Sequence, residues 1–266
     1  MLTRIKTTSK DWLLRAKNNR LFISTLSVSI FVILWEVLPR AGLVDVSYIS
    51  QPTRVLAAAF EEMFVEGVFW GHLYVSFIEL AVGFILSLLV GIPLGLMIGL
   101  FRKVRYFLDP PLMALWSTPR LALIPIFIIW LGVGVESKIA VVFVGSFIPI
   151  IVNTVAGIRD ADISVIQAAR SFCAKKRDIV IRILLPTSLP SMMTGIRLGL
   201  GRAMMGMVVG EMYVSTKGLG YQIMQYGEAY RMDQVIFYVA FVSLLGFAIT
   251  NSARNLETRL LKWKEG

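Results

Sequence analysis

Residues 81–100 and 139–158 each run for twenty positions without a charged side chain. A helix needs about 20 apolar residues to cross a bilayer core about 30 Å thick, so each run is one crossing. Leu21–Val37, interrupted only by Glu36, and Val235–Ile249, extended by Thr250–Ala253, are two more. Two further stretches are apolar but broken: Leu112–Val133 carries Arg120 with Pro111, Pro119 and Pro125 in or beside it, and Thr187–Tyr213 carries Arg197, Arg202 and Glu211. The expectation is an all-α integral membrane protein with six spans, at about 21–38, 72–101, 108–134, 138–158, 187–213 and 233–256, in one membrane domain over 21–262. A basic segment, 1–20, precedes it and is read as interfacial around Trp12–Lys17. Its apolar continuation is longer than a signal-peptide core and no small-x-small cleavage site follows, so the helix is read as uncleaved.

Charge orients the spans. Of 27 Lys and Arg, six fall in 1–20, three in 101–107, six in 159–185 and four in 254–266. With six spans these segments share one side, which the positive-inside rule makes cytoplasmic, with both termini. Only Arg40, Arg54, Lys138, Lys217 and Arg231 fall in the external segments. The net charge of +10 therefore reflects basic loops and not a nucleic-acid surface. One Cys (Cys173) and one His (His72) exclude an intrachain disulfide and a His-based metal site. His72 is read as an interfacial residue. No phosphate-binding G-x4-G-K-[ST] run and no H-E-x-x-H occur, which argues against a nucleotide site or hydrolytic chemistry in this chain. No catalytic residue, metal or bound cofactor is expected.

Gly83, Ser87, Gly91, Gly95 and Gly99 recur every four residues in the second span, a ridge that lets another helix approach closely. Gly195, Gly199 and Ala203 form one ridge of the fifth span, and Gly206 with Gly210 a second, which suits a helix packed between neighbours. Pro52–Phe64 reads as a surface helix with Val55, Leu56, Phe60 and Met63 apolar and Glu61 and Glu62 polar. Tyr221–Tyr230 reads as a short external helix.

Between spans four and five, Asp162 is placed to cap a helix whose Ile163, Ile166, Ala169 and Cys173 share one face. At about 162–174 it is too short to span, and Lys175, Lys176, Arg177 and Arg182 follow. Gln167-Ala168-Ala169-x3-Cys173-x9-Ile183-x-Leu185-Pro186 resembles the EAA motif, E-A-A-x3-G-x9-I-x-L-P, of the membrane subunits of binding-protein-dependent ABC importers. Five of its seven anchors match, with Gln167 for Glu and Cys173 for Gly. The resemblance extends over about 25–262, through Trp35-Glu36, His72-Leu73-x2-Ser76, Pro119-x-Leu121-Ala122-x-Ile124-Pro125, Pro149-x3-Asn153-Thr154, Gly195-x-Arg197, Gly210-Glu211 and Gly218-Leu219-Gly220. It points to the nitrate, sulfonate, taurine and bicarbonate branch.

The resemblance implies a six-span type I ABC importer permease fold. The helix over 162–174 becomes the coupling helix that docks on a separate ATPase, through Asp162, Ile166, Gln167, Ala168, Ala169, Arg170, Ser171 and Cys173, with Ile183, Leu185 and Pro186 completing the motif. It implies a second permease copy (a homodimer), two cytoplasmic ABC ATPases that hold ATP and Mg, an extracytoplasmic binding protein, and residence in the bacterial inner membrane. A glycine tolerates the positive φ of a chain reversal; Cys173 does not suit it, so the turn is expected at a neighbour or after a longer helix. Candidate pathway residues are Arg197, Arg202, Glu211, Pro125 and Glu79, with Glu79 also the candidate partner of an arginine. A self-contained secondary transporter or channel is the alternative; it would call for inverted repeats and midplane acids, and no repeat is seen.

Overall fold

The computed structural model describes residues 5–261, with side chains from Phe22 to Arg259. The interfacial reading of Trp12–Lys17 concerns side chains outside that description, and Lys262 and Lys264 lie outside it altogether. Among the described residues every regular element is helical. They are α1 (Ile5–Arg40), α2 (Pro52–Phe60), α3 (Val68–Leu100), α4 (Arg102–Ser117), α5 (Ile124–Leu131), α6 (Val135–Arg159), α7 (Ile163–Ser171), α8 (Lys176–Ile179), α9 (Leu185–Val214), α10 (Leu219–Glu228) and α11 (Met232–Leu260).

Five segments are long and apolar enough to cross a membrane: Phe22–Arg40, Val68–Leu100, Val135–Arg159, Lys176–Val214 and Met232–Arg259. The sixth expected span is not a single helix. Arg102–Ser117 and Arg120–Leu131 meet at a bend of 98°. Thr118 and Pro119 are extended at the elbow (ψ 129° and 103°); Thr118 is so because a residue before proline is crowded out of the helical region. Pro125 sits in the first turn of α5, where its missing N–H costs nothing.

The fifth span starts earlier than the sequence suggests. Ile183, Leu185 and Pro186 are not a loop before it but part of one continuous helical run from Lys176. The run passes through a π-helical turn at Val180–Leu184. Pro186 explains the turn: it cannot donate to the carbonyl four residues back, and its ring would crowd that carbonyl in a regular helix.

The small-residue ridge of α3 faces α6 of the same chain. A Cβ on Gly83, Gly91, Gly95 or Gly99 would lie against Val142, Ile150, Thr154 or Ile158, and the hydroxyls of Ser87 and Ser146 are hydrogen-bonded at 2.7 Å. Constant spacing along both partners means that α3 and α6 run parallel. The ridges of α9 do not divide as the sequence suggests. Gly195, Gly199, Gly206 and Gly210 all meet α6, at Asn153, Ile150 and Val141, in antiparallel order. The other flank of α9 takes α11, where Met204 and Met207 pack with Val242, Leu245 and Ile249. Half of the α6 span is buried, more than of any other span, so α6 is the central helix.

The surface helix also differs from expectation. Val55, Ala59 and Met63 pack inward on Phe69, Phe237 and Tyr238, whereas Leu56 and Phe60 are exposed. A π-helical turn over Glu61–Val65 rotates the register after Phe60 and turns Glu62 into the interior, where it is 1% exposed.

Candidate functional site

Three groups of residues carry the features that a packed apolar bundle does not require. The first is α7. Asp162 accepts a hydrogen bond from the Ser164 backbone N–H at 2.7 Å and so caps the helix start. Hydrogen bonding with Ser164 holds the Asp162 carboxyl below its ordinary range. At the other end the expectation about Cys173 fails: Cys173 itself adopts φ +54°. The Cys173 N–H donates to the Arg170 carbonyl at 2.9 Å and the Ala174 N–H to the Ala169 carbonyl at 3.0 Å. This is the paired closure of a Schellman turn, which satisfies carbonyls that would otherwise be orphaned, and it keeps the reversal where a glycine would make it.

No side chain of α7 is buried against the rest of the chain. Ile166 and Ala169 are partly covered; Gln167, Ala168, Arg170, Ser171 and Cys173 are exposed. Ile163 is 69% exposed and Phe172, just past the helix, 87%. Phe172 carries no sequence signal beyond its place beside Cys173, and its exposure emerges only from the turn.

The second group lies at the end of the bundle opposite α7. Glu79 of α3 forms an ion pair with Lys138 of α6, both almost wholly buried. Lys138 is therefore interior and not a loop charge, and Glu79 is the partner of Lys138, not of an arginine. Lys138 also donates to the Ser215 hydroxyl at 2.9 Å. Glu211 is fully buried and accepts from the Gly220 N–H at 2.7 Å. The preceding N–H groups, of Gly218 and Leu219, donate to His72 Nδ1 at 2.9 Å and Ser76 Oγ at 2.8 Å. His72, half-buried and stacked on Tyr221, is thus a fixed acceptor and not merely an interfacial residue. Gly218 has φ +125°, and a side chain there would collide with the Glu211 carboxylate.

The third group is a cavity of about 340 Å³ at the elbow between α4 and α5. Thr118, Arg120, Val141, Gly145, Arg202 and Met205 are among its lining residues. The cavity brings Arg202 together with Arg120, which the sequence marks only as a charge in an apolar run. The other pathway candidates lie elsewhere. Arg197 pairs with Glu257 of α11 at 3.0 Å, Glu79 and Glu211 belong to the opposite-end network, and Pro125 is exposed on α5. Among the described residues neither Arg120 nor Arg202 has a carboxylate within ion-pair distance, while Lys138 and Arg197 both do.

Residues 91–262 match the model of the family described as binding-protein-dependent transport system inner membrane component. The chain is 31% identical over 247 residues to the taurine transport system permease protein TauC of Escherichia coli, covering 91% of this chain and 89% of that one. It is 33% identical over 236 residues (89% and 85% coverage) to a Bacillus subtilis protein provisionally named an aliphatic sulfonates transport permease protein, SsuC. It is 30% identical over 245 residues (91% and 95%) to the formylaminopyrimidine transport permease protein ThiX of Halalkalibacterium halodurans. In fold it is similar to a chain of the MetNI methionine ABC transporter in an inward-facing conformation, with a TM-score of 0.61 and 20% identity, over 75% of this chain and 97% of that one.

Proposed function

The chain belongs to the family of binding-protein-dependent transport system inner membrane components, and from that premise we propose that it carries a small anionic solute across the membrane in an ATP-driven importer. The helices form the translocation pathway; ATP and Mg are held by separate ATPase subunits. Two copies of the chain, two ATPases and a binding protein make the working complex. Both termini and α7 lie in the cytoplasm, in line with the 19 basic residues that the loop alternation assigns to that side.

The observation that carries the coupling assignment is α7 itself. It is held at both ends by its own caps and buries none of its side chains. Ala168 and Ala169 keep it slim, and Ile163 and Phe172 offer apolar surface that this chain leaves uncovered. Such a helix fits a groove on another protein, with Arg170 and Ser171 to fix its orientation. When the ATPases close on ATP they draw the two α7 helices together, and the bundle exchanges inward for outward access. The difference in solute affinity between the two states drives uptake. An anionic solute is supported by the names of the sulfonate and taurine relatives and by two arginines that line one cavity with no carboxylate partner among the described residues.

The test is Ala169→Asp, beside Phe172→Ala, in the reconstituted complex. Both side chains lie on α7 or its cap and not in the bundle core, so the chain is expected to reach the membrane. Loss of ATPase co-purification, or of uptake with ATP hydrolysis retained, is the expected result. Unchanged assembly and uptake in both variants removes α7 from the interface.

A further inference from the structure

We propose that the cavity at the α4–α5 elbow is the point inside the membrane where the solute is held, and that Arg120 and Arg202 together grip its anionic head group. The inference rests on the reading of this chain as an anion permease and adds to it the site and the residues.

Charges placed in membrane-spanning sequence are costly and are normally answered by a partner. Two other cations of the spans have carboxylate partners: buried Lys138 has Glu79, and partly exposed Arg197 has Glu257. Arg120, partly covered on the segment after α4, and Arg202, exposed on α9, face one space without a carboxylate partner among the described residues. Arg120 rests beside the Trp116 ring, 5.9 Å from its centroid, which orients the guanidinium without neutralising it. A bound anion would supply the compensating charge.

The chemistry of the space fits that ligand. A guanidinium presents a planar fork of N–H donors that matches sulfonate or carboxylate oxygens two at a time. About 340 Å³ is the size of a site for a small molecule. Val141, Met205 and Leu121 supply apolar wall for a short carbon tail. Gly145 keeps α6 close to α9 here, since a Cβ would stand 3.2 Å from the Arg202 carbonyl. One wall is the Thr118–Pro119 elbow, whose extended residues interrupt the helix. A change in the 98° bend would move Arg120 relative to Arg202, and that gives a way to release what the pair holds.

Uptake is measured in proteoliposomes containing the whole complex and its binding protein. The solutes are taurine, a short alkanesulfonate, nitrate, bicarbonate and a neutral pyrimidine. Wild type is expected to import an anion of this panel, and R120Q/R202Q to import it at least about tenfold more slowly, the loss of one charge-assisted hydrogen bond or more. R120K and R202K should retain part of the rate. If wild type imports the neutral pyrimidine and none of the anions, the anion reading fails whatever the arginines do. If it imports an anion and R120Q/R202Q stays within twofold, the reading stands and the site is wrong.

A second measurement needs no arginine variant to assemble. In a Cys173→Gly background, Met205→Cys places a single thiol in the cavity wall. Relative to their rates on a small free thiol, a negatively charged methanethiosulfonate reagent should gain several-fold over a positively charged one of similar size, because two cations raise the local anion concentration. Equal normalised rates for the two reagents overturn the proposal.

Discussion

Glu79 and Lys138 are paired inside the bundle with the sequence separation, 59 residues, that relates Ser87 to Ser146. Gly83, Gly91, Gly95 and Gly99 of α3 meet residues of α6 at that same offset. The ion pair is therefore the first rung of the α3–α6 ladder. One register aligns a charged contact at one end of two parallel helices with close apolar contacts along the rest.

Removing one member of this pair should be costly and removing both much less so. The side chains are 1% and 4% exposed, and breaking a buried pair typically costs about 3–5 kcal/mol because the survivor is left uncompensated. Lys138→Met should be the worse single change, since it leaves Glu79 beside Glu211 with no cation between them. Glu79→Gln should be milder, and Glu79→Gln/Lys138→Met should recover most of the loss. Thermal unfolding in detergent of the four proteins checks this. A double variant as unstable as the sum of the singles would mean that the pair is not a unit.

Gly95 and Gly201 make a matched comparison on the same membrane scaffold. A Cβ on Gly95 would stand 2.7 Å from the Thr154 Cβ, whereas one on Gly201 would meet nothing within 4 Å. Gly95→Ala should lose about 1–3 kcal/mol to overpacking. Gly201→Ala should be neutral or slightly stabilising, because alanine favours the helix by up to about 1 kcal/mol. Equal melting temperatures for the two variants would show that the ladder yields without strain.

The ladder was legible because its signal is local: small residues every fourth position in an apolar run have one structural use. The five long apolar helices were legible for the same reason. The elbow was not, because 108–134 is equally apolar straight or bent, and only Thr118-Pro119 marks the break. Arg120 and Arg202 are brought together by that bend, so neither could be assigned to a shared cavity from spacing alone. Lys138 looked like a loop charge because the α3 register that delivers Glu79 to it is a tertiary fact. At Cys173 a sound local rule gave the wrong place for the turn. The two Schellman hydrogen bonds hold the reversal there against a left-handed penalty of about 1–2 kcal/mol.

That penalty is recoverable. Cys173→Gly should stabilise the end of α7 by up to about 1 kcal/mol, less than the steric gain because glycine also frees the unfolded chain. Cys173→Val should weaken it, since a β-branched residue is the poorest fit to φ +54°. Hydrogen exchange at Cys173 and Ala174, whose N–H groups close the turn, reads this directly. Slower exchange in the glycine variant and faster exchange in the valine variant are expected, and the reverse order would place the reversal elsewhere.

A second clasp, at the end opposite α7, joins three elements through one carboxylate. Glu62, in the π turn after α2, accepts from the Tyr226 hydroxyl of α10 and from the Tyr238 hydroxyl of α11, the latter at 2.8 Å. Tyr238 is fully buried and Tyr226 partly so. Tyr238→Phe should therefore cost about 1.5–3 kcal/mol, the usual value for a bond to a charged group, and Tyr226→Phe about 1 kcal/mol. Burial first, then the bond to Glu62, raises the Tyr226 phenol above its ordinary value of 10.0. Its folded form thus holds a proton that the unfolded chain gives up near pH 10. The contribution of that proton is complete below pH 10 and declines as the pH rises above it. Unfolding of wild type and of Tyr226→Phe, followed from pH 8 to about pH 11, should show a steeper alkaline decline in wild type. Parallel curves would mean that the Tyr226 proton contributes nothing to holding α10 on the bundle.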